Sequence, residues 1–344
     1  MIAIKPLKKS AGVALVTVLL IVAAATIAAV SISSRLQVDI RRTENLLRSD
    51  QAWLYMLAVE SWAKFELMTD AKNSTAGGGV AVDHLDEDWA KPLADSSFVE
   101  GGTAEGEIID QQGLLNINNL LKEDPNASQG GLQAVLLVPD QISIDRFDHL
   151  LTNLNPELDE RQVDELMDAL LDWLDEDDAP RNNGAEDGHY LALESPYSTA
   201  NRLMVHPSEL LLVKGFSKEI YEKISKFVTA LPEHVALNLN AAEPEVMQSL
   251  GEGFREGDAR SIARAVDGQA EQTNFNDLGE FMDEIANYNM KVMPKRDYLG
   301  VESNYFRVRS RVTVGKARIA VTSLLHRDAA GEVVVLQRMR EDIY

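Results

Sequence analysis

Hydrophobic positions divide the chain into three regimes. From Val13 to Val30 they are almost continuous, and no residue between Ser10 and Ser34 carries a charge. About 20 such residues cross a bilayer core as a helix, so residues 13–33 predict a transmembrane span. Beyond it, Leu36, Ile40, Leu47, Leu54, Ala58, Trp62 and Phe65 recur at three-, four- and seven-residue steps, as on one face of an α-helix. Arg35, Arg41, Arg42 and Arg48 fall on other faces. Neither Gly nor Pro interrupts Val13 through Ala76. The pattern therefore predicts one spine helix over residues 13–72, about 85 Å from Val13 to Asp70. A membrane helix followed by a separate coiled-coil stalk competes with it, and the missing breaker disfavours that reading.

The other two regimes are extended and helical. Asn73 to Gly79 reads as a linker. Residues 80–119 form a first β region, with short runs in Thr103 to Asn118 broken at Gly106 and Gly113. Residues 294–344 form a second, whose Tyr305–Val314 run alternates over much of its length. Gly315-Lys316 turns it into Ala317–Leu325, and Ala329-Ala330-Gly331 into Glu332–Met339, an antiparallel meander. Between them, residues 120–293 read as helical. Asn155 is the expected N-cap of a helix with Pro156 in its first turn and Val163, Leu166, Met167, Leu170, Leu171 and Leu174 on one face. Leu115-Asn116-Ile117-Asn118 and Leu237-Asn238-Leu239-Asn240 repeat a pattern in which Asn side chains tie up free backbone groups of tight connections. The second leads into helices near Pro244–Leu250 and Asp258–Val266, resembling a helix-hairpin-helix or SAM-like unit. Such units often bind DNA, but the acidic groups on these helices favour protein packing.

Charge narrows the function classes. The 344 residues hold 55 acidic and 33 basic side chains, a formal net charge of -22. That balance repels phosphate backbones, so nucleic acid is not an expected partner, whereas divalent cations and basic surfaces are compatible. There is no cysteine, which excludes disulfides and thiolate metal sites. The scattered histidines form no helix pair for a catalytic zinc.

The amino terminus decides among three kinds of leader. Lys5, Lys8 and Lys9 precede the apolar run and should stay cytoplasmic, with the remainder exported. A cleaved signal peptide, with its site near Ala23–Ala25 or Ala28–Ala29, and a plain single-pass anchor are two readings. The third is a leader cut on the cytoplasmic side. Lys8-Lys9-Ser10-Ala11-Gly12, followed at once by the apolar run, resembles the prepilin-type leader. That resemblance implies a leader over residues 1–12, cleavage between Gly12 and Val13 by prepilin peptidase, and methylation of the new terminus. Most pilins carry glutamate at the fifth mature position, and here it is Thr17.

The missing glutamate matches the K-type minor pseudopilin of type II secretion systems, which the chain resembles at three further places. They are Gly113-Leu114-Leu115-Asn116-Ile117-Asn118, the acidic segment Asp172–Asp177 with Gly184-Ala185-Glu186-Asp187, and Leu237-Asn238-Leu239-Asn240-Ala241. The resemblance implies an α+β, pilin-like fold: a long N-terminal transmembrane helix, an antiparallel sheet and a large inserted α-helical, SAM-like domain. It also implies an inner-membrane, single-pass protein with a periplasmic C-terminal domain. Its partners would be the I- and J-type minor pseudopilins, its place the pseudopilus tip, and its role the support of folded-protein export. An anchored envelope adhesin with an acidic domain is the alternative function.

The acidic segment has two readings of its own. Asp175, Asp177, Asp178, Glu186 and Asp187 lie around Pro180, Asn182, Asn183 and Gly184, turn formers that let the loop fold back. They are either solvated loop charges or oxygen ligands of a hard cation. The family resemblance implies calcium, with Asp175, Asp177, Glu186 and Asp187 as ligands, Asp178 as a further candidate and Asp172 as a helix-surface charge. The spacing is not that of an EF-hand. Paired carboxylates also serve hydrolytic enzymes, but no His, Lys or Arg constellation converges on them in sequence and no nucleophile elbow or phosphate loop is present, so no enzymatic activity is expected.

Overall fold

The spine is a single helix, α1, Ala11–Ala76. It belongs to a computed structural model that describes residues 11–76, 81–93, 97–124, 137–264, 274–288 and 293–341. Leader residues 1–10 and the glycine triplet at 77–79 lie outside the described residues. The helix runs through Asn73–Ala76, where a linker was expected. Residues 13–47 are exposed throughout, and the apolar run among them is long enough to cross a membrane.

The stripe that α1 buries is not the one its bulkiest residues suggest. Ala52, Met56, Val59, Ala63 and Leu67 are fully buried, while Leu36, Ile40, Leu47, Leu54 and Phe65 stay exposed. Small and medium side chains let the helix approach the sheet closely. The larger ones form a second apolar face that this chain leaves uncovered.

The sheet begins with β1, Gly102–Asp110. Gly106, expected to break this run, lies within it. A Cβ there would stand 2.6 Å from Val59 Cγ1 and 3.2 Å from the Trp62 ring. The glycine is therefore an approach point for α1, where added volume would force the packing apart.

A helical body follows. It opens with β2 (Leu115–Asn116), β3 (Leu121–Glu123) and β4 (Leu137–Pro139), then α2 (Gln141–Leu154), α3 (Glu160–Leu174), α4 (Asp187–Tyr190), α5 (Lys218–Ile224) and β5 (Val228–Thr229). A second part runs from β6 (Leu237–Asn238) through α6 (Pro244–Gln248), α7 (Glu256–Ile262) and α8 (Leu278–Ile285) to β7 (Leu299–Gly300). β2 pairs in parallel with β5, and β6 with β7. The body thus spans about residues 115–300, wider than the 120–293 expected, because its boundary strands β2 and β7 pair within the body, with β5 and β6, and not with the main sheet.

The repeated Asn pattern marks these closures. In each repeat the first Asn accepts from the backbone N–H two residues on: Asn116 from Asn118 and Asn238 from Asn240. The second clamps both backbone groups of one distant residue, Asn118 those of Met204 and Asn240 those of Phe275. Asn155, expected to open a helix, instead closes α2, and its side chain donates to Leu151 O at 2.9 Å. Asp159 caps α3 in a reciprocal box with Gln162, which satisfies two otherwise free donors.

The chain then returns to the sheet as β8 (Tyr305–Val314), β9 (Ala317–Arg327) and β10 (Val333–Arg340). The strand order is β1-β8-β9-β10, all antiparallel. Val312, Val314 and Ile319 pack near Ala52–Val59 of α1, and Phe306, Val308 and Leu325 near Ala63 and Leu67. The body joins the sheet at Asp110 and Tyr305, so it sits at the end remote from the apolar half of α1. Charge follows this division. Residues 120–293 hold 34 acidic and 13 basic side chains, the remainder 21 and 20.

Candidate metal centre

The acidic loop starts where α3 stops. The apolar face of α3 is buried through Leu174, and Asp175 is its C-cap with extended backbone. The loop turns back through residues 179–184 and enters α4 at Asp187, with Glu186 as its N-cap residue. Gly184 is required at the return, since a Cβ there would fall 1.8 Å from Asp172 Oδ2. Trp173, Tyr190 and Tyr197 make an aromatic floor, with Trp173 and Tyr190 centroids 5.3 Å apart.

Three of the expected ligands converge. Carboxylate oxygens of Asp175, Asp177 and Glu186 lie within 4.8 Å of one another. Asp187 is placed otherwise: its Oδ1 accepts from Thr199 N at 2.8 Å and ties down the strand-like segment that follows. Asp178 Oδ1 accepts from Asn201 Nδ2 at 2.9 Å. Asp172 is no helix-surface charge. It is 0% exposed and accepts from Arg181 Nη1 at 2.6 Å and from Arg181 N. The same guanidinium nitrogen donates to Asp175 Oδ2 at 2.6 Å. A basic residue thus does converge on the loop, from inside it, and Lys214 reaches the carbonyls of Asn183 and Gly184.

What remains after these pairings is largely acceptor capacity, with the Thr199 hydroxyl near Glu186 but outside hydrogen-bond geometry. Both oxygens of Glu186, which is 6% exposed, have no hydrogen-bond partner, nor do Asp175 Oδ1 and Asn201 Oδ1. Buried polar atoms without partners are rare and costly, and here the carboxylates of Asp175 and Glu186 lie close together. Burial, then the nearby Asp172 charge, pushes the Glu186 carboxyl up to about 7. Burial also raises Asp175, against the opposing pull of Arg181. A hard divalent cation would satisfy the orphaned oxygens and remove the repulsion, so the donor set, all oxygen, fits one. Asn201, whose amide nitrogen holds Asp178, was not legible as part of the loop's surroundings. It lies fifteen residues beyond Glu186, and its left-handed backbone, φ 44°, is set by the fold. A second carboxylate group, Asp70, Asp83 and Glu87, differs in kind, because Arg327 already lies between Asp70 and Asp83.

Comparison with known proteins decides the family. The profile described as type II secretion system (T2SS), protein K matches residues 113–233. Type II secretion system protein K of Pseudomonas aeruginosa PAO1 is 35% identical over 95% of this chain and 92% of its own length. The chain belongs to the type II secretion system protein K family. The protein of the same name from Aeromonas hydrophila is 31% identical over 96% of this chain and 97% of that one. The fold agrees with the crystal structure of the GspK-GspI-GspJ complex from enterotoxigenic Escherichia coli, at TM-score 0.68 and 23% identity, covering 88% of this chain and all of that one. The protein is a minor pseudopilin of the type II secretion system, and its apolar helix fits a single-pass membrane anchor.

The site's electrostatics give a pH test. A carboxyl whose folded pKa lies near 7 against an ordinary 4.5 favours the folded state while protonated. That contribution is present below pH 4.5 and is lost as pH rises through about 7. In chelator, thermal unfolding of the wild type should shift down over this window, and Glu186→Gln should flatten the profile. Superimposable profiles for the two proteins would rule out Glu186 as the buried acid.

Proposed function

We propose that this chain caps one end of the pseudopilus, in a complex with I- and J-type minor pseudopilins, and that its helical body is organised by calcium. One observation carries the first part: the bulky body sits at the end of the sheet remote from the apolar half of α1. A further subunit stacked along the spine would meet that body. The uncovered stripe of Leu36, Ile40, Leu47, Leu54 and Phe65 offers the spine a lateral apolar contact. The complex in which the Escherichia coli relative was solved supports the choice of partners.

Thr17 supports the terminal position. A threonine has no carboxylate to offer a neighbour's amino terminus, and its hydroxyl is turned back on its own helix, to Ala14 O at 2.9 Å and Val13 O at 3.1 Å. Processing between Gly12 and Val13 would leave Thr17 at the fifth position, with the body in the periplasm. These features favour a scaffolding role over a catalytic one.

Two experiments test the reading. Purified from membranes, the chain should begin at N-methylated Val13, and cysteines introduced at Leu47 and Leu54 should cross-link to the I- or J-type subunit alone. Cross-links spread evenly to the major subunit, or a mature terminus after Ala29, would contradict it. Separately, millimolar calcium should raise the melting temperature by about 5 °C. Asp177→Ala with Glu186→Ala should abolish the rise, and a calorimetric titration without calcium heat would leave the loop merely acidic.

A further inference from the structure

Apolar exposure in the helical body is concentrated in one place. Among the described residues of 115–300, six large apolar side chains are exposed. Five of them, Leu191, Leu193, Val205, Leu211 and Leu212, lie between residues 191 and 212, each 37–53% exposed. Single exposed leucines are ordinary on a soluble surface, whereas a contiguous group marks contact with another molecule.

Two tyrosines bring the ends of this stretch together. Tyr190 and Tyr197 lie with ring centroids 5.3 Å apart. The Tyr190 hydroxyl accepts from Lys214 N at 3.1 Å, and the Tyr197 hydroxyl donates to Leu212 O at 2.7 Å. Leu191 and Leu193 follow Tyr190 in a tight turn, where Leu191 N donates to Asp187 O and Leu193 N to Tyr190 O. Leu211 and Leu212 end the 3₁₀ turn Pro207–Leu212. Leucines from both segments therefore stand around one tyrosine pair. Both rings pack on Trp173 of α3, and Asp187 pins the connecting segment at Thr199 N, so the surface is held in shape without a partner.

Charge selects what can cover it. Residues 172–216 hold nine Asp or Glu side chains and three Lys or Arg. The three basic groups are engaged: Arg181 with Asp172 and Asp175, Lys214 with the carbonyls of Asn183 and Gly184, and Arg202 with Glu209 at 3.7 Å. Glu176, Asp177, Asp178 and Glu194 stay exposed, and Asp178 is tied to Asn201 of the same segment. One divalent cation in the loop would still leave a negative surplus, so the surroundings stay acidic whether or not the loop is filled. We propose that this leucine–tyrosine surface docks a cationic amphipathic segment of a partner protein. Its apolar side chains would cover Leu191, Leu193, Leu211 and Leu212, and its Lys or Arg side chains would meet the acidic rim. A second copy of this chain would bring a like-charged surface, and anionic lipid would be repelled.

Methyl NMR on the leucine-labelled full chain in phosphatidylcholine nanodiscs, at saturating calcium, tests this with a short amphipathic Leu/Lys peptide and its Leu/Glu counterpart. The Leu/Lys peptide should shift the Leu191, Leu193, Leu211 and Leu212 resonances saturably, and the Leu/Glu peptide should leave them in place. Leu193→Ser with Leu212→Ser should weaken binding about tenfold or more. Both side chains are exposed, and Tyr197 bonds the backbone carbonyl of Leu212, which serine retains. Shifts confined to other acidic regions, an equal response to both peptides, or unchanged affinity in the double variant would overturn the proposal. Leucine shifts that follow protein concentration without peptide would also overturn it, by making a second copy the occupant.

Discussion

The guanidinium of Arg327 is the point through which spine, sheet and body meet. Nη1 donates to Asp70 of α1 at 2.7 Å, and Nη2 donates to both oxygens of Asp83, at 2.6 and 2.7 Å, and to Ser303 O. Ser303 passes the connection on, its N–H to Asp83 and its hydroxyl to Asp110 at 2.6 Å. Asn238 of the body then donates to Asp110, Ser303 and the carbonyl of Asp83. Every member is buried or nearly so, and such a network is stable only when it is satisfied throughout. It is a directional joint, and it fixes how the acidic body stands on the stem.

Around that joint the chain separates its physical tasks. The α1–sheet contact is otherwise apolar and close, made possible by Ala52, Ala63 and Gly106, with a second ion pair in which Arg338, at the surface, grips both oxygens of the buried Glu60. The body carries nearly all the net charge. Its acidic loop concentrates acceptors, while Arg146 concentrates donors elsewhere in the same domain. Both are places where the protein alone leaves buried polar groups unpaired, and the acidic loop, where three carboxylates converge, is readable as a ligand site for that reason.

Much of this was legible in the sequence. The spine, the meander from Tyr305 and the end of α3 at Leu174 follow from periodicity and turn residues. Gly106 misled because a glycine in a strand reads as a break unless the helix above it is known. Asn155 misled because a cap residue before Pro suits either helix end. The buried stripe of α1 was hidden by its small size beside the larger exposed residues. At the acidic loop, clustering pointed to Asp175, Asp177 and Glu186, but burial separates Asp172 from them, and Arg181 and Asn201 enter only through the folded path of the chain.

Coupling of the body to the spine through Arg327 is tested by hydrogen exchange on Arg327→Met. Removing one member of a buried ion pair costs about 3–5 kcal/mol. Coupling predicts faster exchange together in α1 near Asp70, in residues 299–304 and in residues 237–240, with α3 unaffected. Acceleration confined to β9 and α1, with residues 237–240 exchanging as in the wild type, would contradict it.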